Sequence, residues 1–183
     1  MEPWQVLALT RLRPLSGDVD LTARLLAEAE PLIWRAVTDR DRRAVRRIKA
    51  RAEAERVPAG DDPRFHLKLG PGALADIELT VALLLWEHGL RDPATTTGIA
   101  ALAAAGHLDP AEADALAAAH AFCQRVRNRE TLVAGRGRDA LPTGDDLVVL
   151  ARALDTTGPT LRDEYLRLTR RARRVVESRF YAT

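Results

Sequence analysis

His66-Leu67-Lys68-Leu69-Gly70-Pro71-Gly72-Ala73-Leu74-Ala75-Asp76-Ile77-Glu78 reads as a short extended piece, a glycine-broken turn and the opening of an amphipathic helix. From Leu74 onward Ile77, Val81, Leu84, Leu85 and His88 keep the i, i+3, i+7 rhythm of a helix with one buried stripe, and Gly89 stands at a C-cap position. Asp76 and Glu78 fall in the first turn, where negative charge complements the helix dipole. Positions i and i+2 point about 200° apart on a helix, so the two carboxylates cannot serve one ligand. Ala73 cannot adopt positive φ cheaply, so any left-handed geometry in this turn must come from Gly70 or Gly72.

Working outward, the same helical punctuation repeats. Thr38 with Asp41 forms a start resembling a capping box, and the helix it opens is expected to turn Ala44, Val45, Ile48 and Ala52 inward before Pro58 and Gly60 stop it. Asp109-Pro110-Ala111-Glu112 supplies N-cap, N1 proline and N3 acid to a long helix running through Leu116 and Val126. Thr143 with Asp146 predicts a helix over Leu147 to Leu154. Thr160 with Asp163 predicts the last one, with Leu161, Tyr165, Leu168, Ala172, Val175 and Val176 on one face. Shorter helices are expected from Trp4 to Arg13, Leu21 to Ala29 and Ile99 to Ala105. No segment alternates as a strand does, so the chain is read as an all-α bundle of seven or eight helices with one short extended segment near residues 64–69.

Composition sets the outer bounds. The length suits a single helical domain over 1–183. There is no apolar run of ~18 residues and no signal-peptide pattern. The single cysteine, Cys123, excludes an internal disulfide framework and suits a reducing cytoplasm. A formal charge of +2 is too small to demand a polyanionic partner, and an aromatic content of 4% leaves few rings to stack bases, so nucleic acid is not expected. The helical start directly behind Met1 and Glu2 suggests a piece of something larger.

The stretch from Lys68 to Leu79 resembles the K-L-G-x-G-G-L-x-D-I-E-[FW] signature of the helical domain in the glutamine synthetase adenylyltransferases. The likeness runs on. Trp4-Gln5-Val6-Leu7-Ala8-Leu9-Thr10-Arg11-Leu12-Arg13-Pro14 is similar to the segment that leaves the family's nucleotidyltransferase core. Ile48-Lys49-Ala50-Arg51 and Glu55-Arg56-Val57-Pro58 are similar to the stretch before the signature, and Val126-Arg127-Asn128 to a later landmark. Leu168 through Glu177, with Phe180-Tyr181, is similar to its closing segment. Three positions depart: Pro71 stands where the family commonly has arginine or glycine, Ala73 replaces the second glycine, and Leu79 the usual aromatic.

The resemblance implies the adenylylating half of an enzyme that moves AMP from ATP to a tyrosine of glutamine synthetase and reverses the step, with Mg²⁺ and ATP held by a core this chain lacks. Glutamine synthetase, a PII-type signalling protein and glutamine are the implied partners. Asp18-Val19-Asp20 and Asp39-Arg40-Asp41 superficially match a metal-binding D-x-D. The first follows Ser16-Gly17 with no room for the intervening strand and helix, however, and the second is a helix N-terminus. The isolated chain is therefore expected to be inactive, with no catalytic or metal residue.

Two readings of the signature stay open. In one, Lys68, Gly70, Gly72, Asp76 and Glu78 face an interdomain cleft. In the other the chain is a generic helical interaction module and the turn is structural. Arginines crowd three regions, including Arg125, Arg127, Arg129, Arg136 and Arg138; Arg127, Arg170, Arg171 and Arg174 form a candidate basic docking surface. Glu53, Glu55, Glu164 and Glu177, interleaved at helical spacing, equally suit solvated faces. His120 and Cys123 lie one turn apart, too few for a zinc site. His66, His88 and His107 lack partners at ligand spacing, and Cys123 is expected to be a buried structural thiol.

Overall fold

The computed structural model describes residues 1–135 and 137–181, in which the periodic segments become eight α-helices and one 3-10 turn. They are α1 (Pro3–Leu9), α2 (Val19–Ile33), α3 (Asp39–Arg56), the 3-10 turn (Pro63–Phe65), α4 (Leu74–Glu87), α5 (Thr95–Ala104), α6 (Pro110–Ala134), α7 (Gly144–Arg152) and α8 (Gly158–Arg179). The extended piece is brief. Leu67 N donates to Asp139 O and Leu141 N to Phe65 O, making a single antiparallel bridge between His66 and Ala140.

Capping chemistry sets most of the helix starts. At α3, Asp41 N donates to Thr38 Oγ1 (3.3 Å) and Thr38 N to Asp41 Oδ2 (2.9 Å). At α6, Asp109 and Glu112 exchange the same pair of bonds. The last helix begins a turn earlier than its sequence suggests: Thr157, not Thr160, is the N-cap. Gly158-Pro159 hides this start, because a proline that breaks a helix interior is well suited to its first turn. At α7, Thr143 makes no side-chain cap, and Asp146 accepts from Arg138 instead. Helix α2 runs through Pro31 to Ile33, further than expected, and ends on a residue only 4% exposed.

The centre is the long pair α6 and α8. Glu112 and Asp114, early in α6, meet Arg179 and Arg171, late in α8, so the two run antiparallel. Leu116, Ala119, Phe122, Cys123 and Val126 of α6 are buried with Leu161, Tyr165, Leu168, Ala172, Val175 and Val176 of α8, the face read from the sequence. Helix α4 lies against both and against α5, where Gly98 allows close approach to Leu85. Instead of one stripe, α4 buries Leu83 and Trp86 as well as Ile77, Val81, Leu84 and Leu85, as a helix surrounded by neighbours must.

Helix α3 corrects a second expectation. Ala44 and Val45 are inside, but Ile48 is 40% exposed while Lys49 is 2% exposed. A lysine occupies the inward position because an acid waits there.

Candidate functional site

The signature turn is knotted by its own backbone. Gly70 N donates to His66 O (2.7 Å), Ala73 N to Gly70 O (3.0 Å), Leu74 N to Leu67 O (3.2 Å) and Ala75 N to Lys68 O (2.8 Å). The first amides of α4 are thus satisfied by the preceding chain, and its N-terminus is not an open cradle for phosphate. His66 is buried, with Nδ1 accepting from Leu69 N (2.9 Å) and Lys68 N (3.3 Å), and burial lowers its pKa. Tyr165 Oη donates to His66 O (3.2 Å), tying the turn to α8, and burial raises the phenol's pKa.

The two glycines have separate jobs. Gly72 takes the left-handed geometry, φ +72°, and a Cβ there would stand 2.0 Å from Thr169 O of α8. Gly70 has ordinary φ, but a Cβ would meet His66 O at 2.5 Å and Tyr165 Oη at 2.9 Å. Ala73, where the family signature has glycine, is extended at φ −90° and needs no special residue. What the turn approaches closely is the backbone of α8.

The two acids separate as the helical geometry requires. Asp76 is 1% exposed; its Oδ2 accepts from Gly72 N (2.7 Å) and from Arg173 of α8 (2.9 Å), and its Oδ1 pairs with Lys49 of α3 (2.6 Å). Glu53 completes the Lys49 pairing and Glu177 that of Arg173. Tyr181 lies 5.4 Å from Lys49 Nζ and 5.3 Å from the Arg173 guanidinium, a ring shared by two cations. Burial opposes the Lys49 charge, yet Asp76 and Glu53 override it and hold its pKa above the ordinary value.

Glu78 sits at the rim. Its side chain is 34% exposed, with His120 Nε2 at 3.7 Å and Arg11 at 3.9 Å. Burial opposes its charge, but His120, Arg11 and Lys68 together keep its carboxyl below the usual range. Lys68 is exposed beside it. Arg11 also donates to Thr95 Oγ1 (2.8 Å). Among the described residues the buried His120 Nε2 has no partner within hydrogen-bond distance, Glu78 being the nearest acid.

The other candidates are placed as follows. Arg127 pairs with Asp139 and Arg171 with Asp114, while Arg170 and Arg174 are exposed with no acid partner among the described residues. Arg136 lies outside the described residues. Asp18 caps α2 through Leu21 N, Asp39 pairs with Arg42, and Asp41 accepts two bonds from Arg35. Among the described residues no three His, Cys, Asp or Glu side chains gather in one place. An open groove of about 540 Å³ between α3, α4 and the end of α8 is lined by four arginines, three of them engaged: Arg42 by Glu87, Arg179 by Glu112, and Arg46 on Phe180 O, with Arg43 exposed beside them. Cys123 is fully buried, and burial pushes its thiol up to about 12.

The sequence did not expose three of these groups. Lys49 carried a usable signal, since it continues the Asp41, Val45 stripe at i+4. Arg173 carried none that separated it from its neighbours on α8. His88 and His107 looked isolated, yet their rings stack 3.5 Å apart where α4 and α5 end side by side.

A family model described as GlnD PII-uridylyltransferase matches residues 42–180, which span α3 to α8 and hold every member of the Asp76 cluster except Tyr181. The chain belongs to that family. It is 42% identical over 190 residues to the bifunctional glutamine synthetase adenylyltransferase/adenylyl-removing enzyme of Streptomyces avermitilis, an alignment covering 97% of this chain and 19% of that protein. The protein of the same name from Streptomyces coelicolor is 41% identical over 98% of the chain, and that from Mycobacterium leprae 40% over 98%. This member of the family spans about a fifth of the length of those relatives, 19% in each case. Among the described residues, no helix is long and apolar enough to cross a membrane.

Proposed function

We propose that this chain is the helical domain of a nucleotidyltransferase that moves AMP from ATP to a tyrosine of glutamine synthetase and removes it again, adjusting nitrogen assimilation in the cytoplasm. The observation that carries this reading is the similarity, along nearly the whole chain, to proteins named for that pair of activities. The relatives' remaining length leaves room for the nucleotidyltransferase core that would hold ATP and Mg²⁺. The domain belongs to the adenylylating half and borders the cleft. Asp76 is consumed internally as a positioning residue, and exposed Lys68 and the rim carboxylate of Glu78 are the members of the signature placed to meet the core. Exposed Arg170 and Arg174 serve as a docking surface for glutamine synthetase or a PII-type protein, with glutamine as effector.

The test is turnover in the full-length polypeptide. Lys68→Ala and Glu78→Gln are expected to lower AMP transfer to glutamine synthetase tenfold or more while leaving the denaturation midpoint unchanged. Transfer within twofold of wild type in both variants would instead make the domain a scaffold with no part in nucleotidyl transfer. Calorimetric titration with an unmodified PII-type protein, with and without glutamine, examines docking separately. Saturable heat that disappears in Arg170→Ala/Arg174→Ala supports it, and heat unaffected by those changes removes the arginines from the assignment.

A further inference from the structure

Helix α2 is amphipathic over a wider arc than the bundle covers. Thr22, Leu26, Ala29 and Ile33 share the face turned inward, and Ile33 is only 4% exposed. Immediately beside them, at i and i+4 then i+7 spacing, run Leu21 (63% exposed), Leu25 (56%) and Leu32 (57%), within about 40° of one another around the helix. Val19 and Leu15, 79% and 82% exposed, stand apart from the stripe: Val19 is about 140° away around the helix and Leu15 precedes it. Arg24 and Glu28 border the stripe on its solvent side and pair with nothing among the described residues. Scattered exposed leucines need no explanation. Three in register, contiguous with a buried face and rimmed by one charge of each sign, have the anatomy of an interface.

Size decides between occupants. A leucine side chain carries roughly 100 Å² of apolar surface, so the three leucines at these exposures offer roughly 180 Å². Two free copies of a protein need about 800 Å² on each partner for a stable interface. Contacts between domains of one polypeptide bury roughly 600–1,500 Å² in total, and tethering supplies an effective concentration in the millimolar range. The stripe is far too small to hold two free copies together and suits one part of a tethered interdomain contact. The relatives carry about four-fifths of their length outside the matched region, since this chain covers 19% of them.

We infer that the Leu21-Leu25-Leu32 stripe of α2 is the docking face for the remainder of the parent polypeptide, its nucleotidyltransferase core. This rests on the reading of the chain as one domain of that larger enzyme. It assigns the contact to α2, apart from the signature turn, and divides the labour: α2 supplies apolar adhesion and the Lys68–Glu78 rim the polar face.

The test compares the full-length wild type with a Leu21→Gln/Leu25→Gln/Leu32→Gln variant by amide hydrogen exchange. Glutamine has nearly the helix propensity of leucine, so the intrinsic stability of α2 is little changed. The expected result is exchange at residues 19–33 at least tenfold faster in the variant, with residues 74–87 of α4 exchanging equally in both as evidence of an intact fold. Equal exchange of α2 in both proteins overturns the inference. So does protection that vanishes on dilution together with a dimeric mass in light scattering, because a second copy would then be the occupant. AMP transfer is assayed on the same wild-type sample: transfer without α2 protection removes the docking face alone, and protection without transfer removes the functional reading while leaving the interface.

Discussion

Lys49 Nζ lies 2.6 Å from Asp76 Oδ1, with both side chains 1% exposed. Arg173 approaches the other carboxylate oxygen, so one acid neutralises two cations from two helices and also accepts from the Gly72 amide. Breaking a buried pair leaves an uncompensated charge, which costs roughly 3–5 kcal/mol, whereas replacing the whole pair by apolar groups of similar volume is often neutral. Asp76→Asn is therefore expected to destabilise the domain by about 3 kcal/mol, the low end because Glu53 and Glu177 still serve the cations. Asp76→Leu combined with Lys49→Met should recover at least half of that loss. Urea midpoints measure both, and a loss below about 1 kcal/mol for Asp76→Asn would remove the cluster from the fold's main supports.

Two glycines with left-handed φ are expected to respond very differently to alanine. Gly89→Ala, at φ +65° with nothing within 4 Å of the new Cβ, should cost about 1 kcal/mol from backbone geometry alone. Gly72→Ala, whose Cβ would meet Thr169 O at 2.0 Å, adds a steric cost and should lose about 3 kcal/mol or more. For a domain of this size that difference corresponds to a Tm gap of about 4–8 °C. Equal melting temperatures would contradict the close approach of the turn to α8.

Stability should fall with acidity in two windows. Desolvation, together with the stacked His107, depresses the pKa of His88, and burial depresses that of His66. The unfolded state therefore binds more protons as pH drops below about 6.5, and stability declines there. Hydrogen bonds from Arg35 and Thr38 hold Asp41 well below the usual carboxylate range, so its contribution is complete above about pH 4 and is lost as pH falls further. Asp41→Asn is expected to flatten only the lower window and His88→Gln only part of the upper one, as read from denaturation midpoints across pH. A lower window unchanged by Asp41→Asn would refute its assignment.

Cys123 should be silent in the native state. Its thiol is fully buried and held protonated by burial, so labelling by an aromatic disulfide reagent is expected to track unfolding and to become rapid only in denaturant. Labelling within seconds under native conditions would contradict the packing of α6 on α8.

Much of this was legible because it is local. The capping boxes at Thr38 and Asp109 and the inward face of α8 follow from residues within one or two turns of each other. The separation of Asp76 from Glu78 followed from helix geometry alone, and the requirement for Gly70 or Gly72 from backbone sterics. The sequence was opaque where the deciding partner was distant. A lysine on an apolar stripe reads as a solvated neighbour of Ile48 until Asp76 is placed opposite it, and Arg173 finds that acid 97 positions away. The 3-10 turn and single bridge around His66 are too short for any periodicity. The start of α8 was obscured by a Gly-Pro pair that resembles a breaker more than a beginning.

The Asp76 cluster also orders events during synthesis. Its members come from α3, α4 and α8, and the ring beneath the two cations is Tyr181. While a ribosome is still making α8, Asp76 and Lys49 have emerged but Arg173 has not, and the turn at Gly72 has no α8 backbone to rest against. A nascent chain halted before residue 173 therefore exposes both an apolar α4 and an unfinished charge balance, the kind of species that chaperones hold and proteases remove. The domain closes as a unit once its last helix is delivered, and truncation from that side is expected to abolish folding rather than trim it.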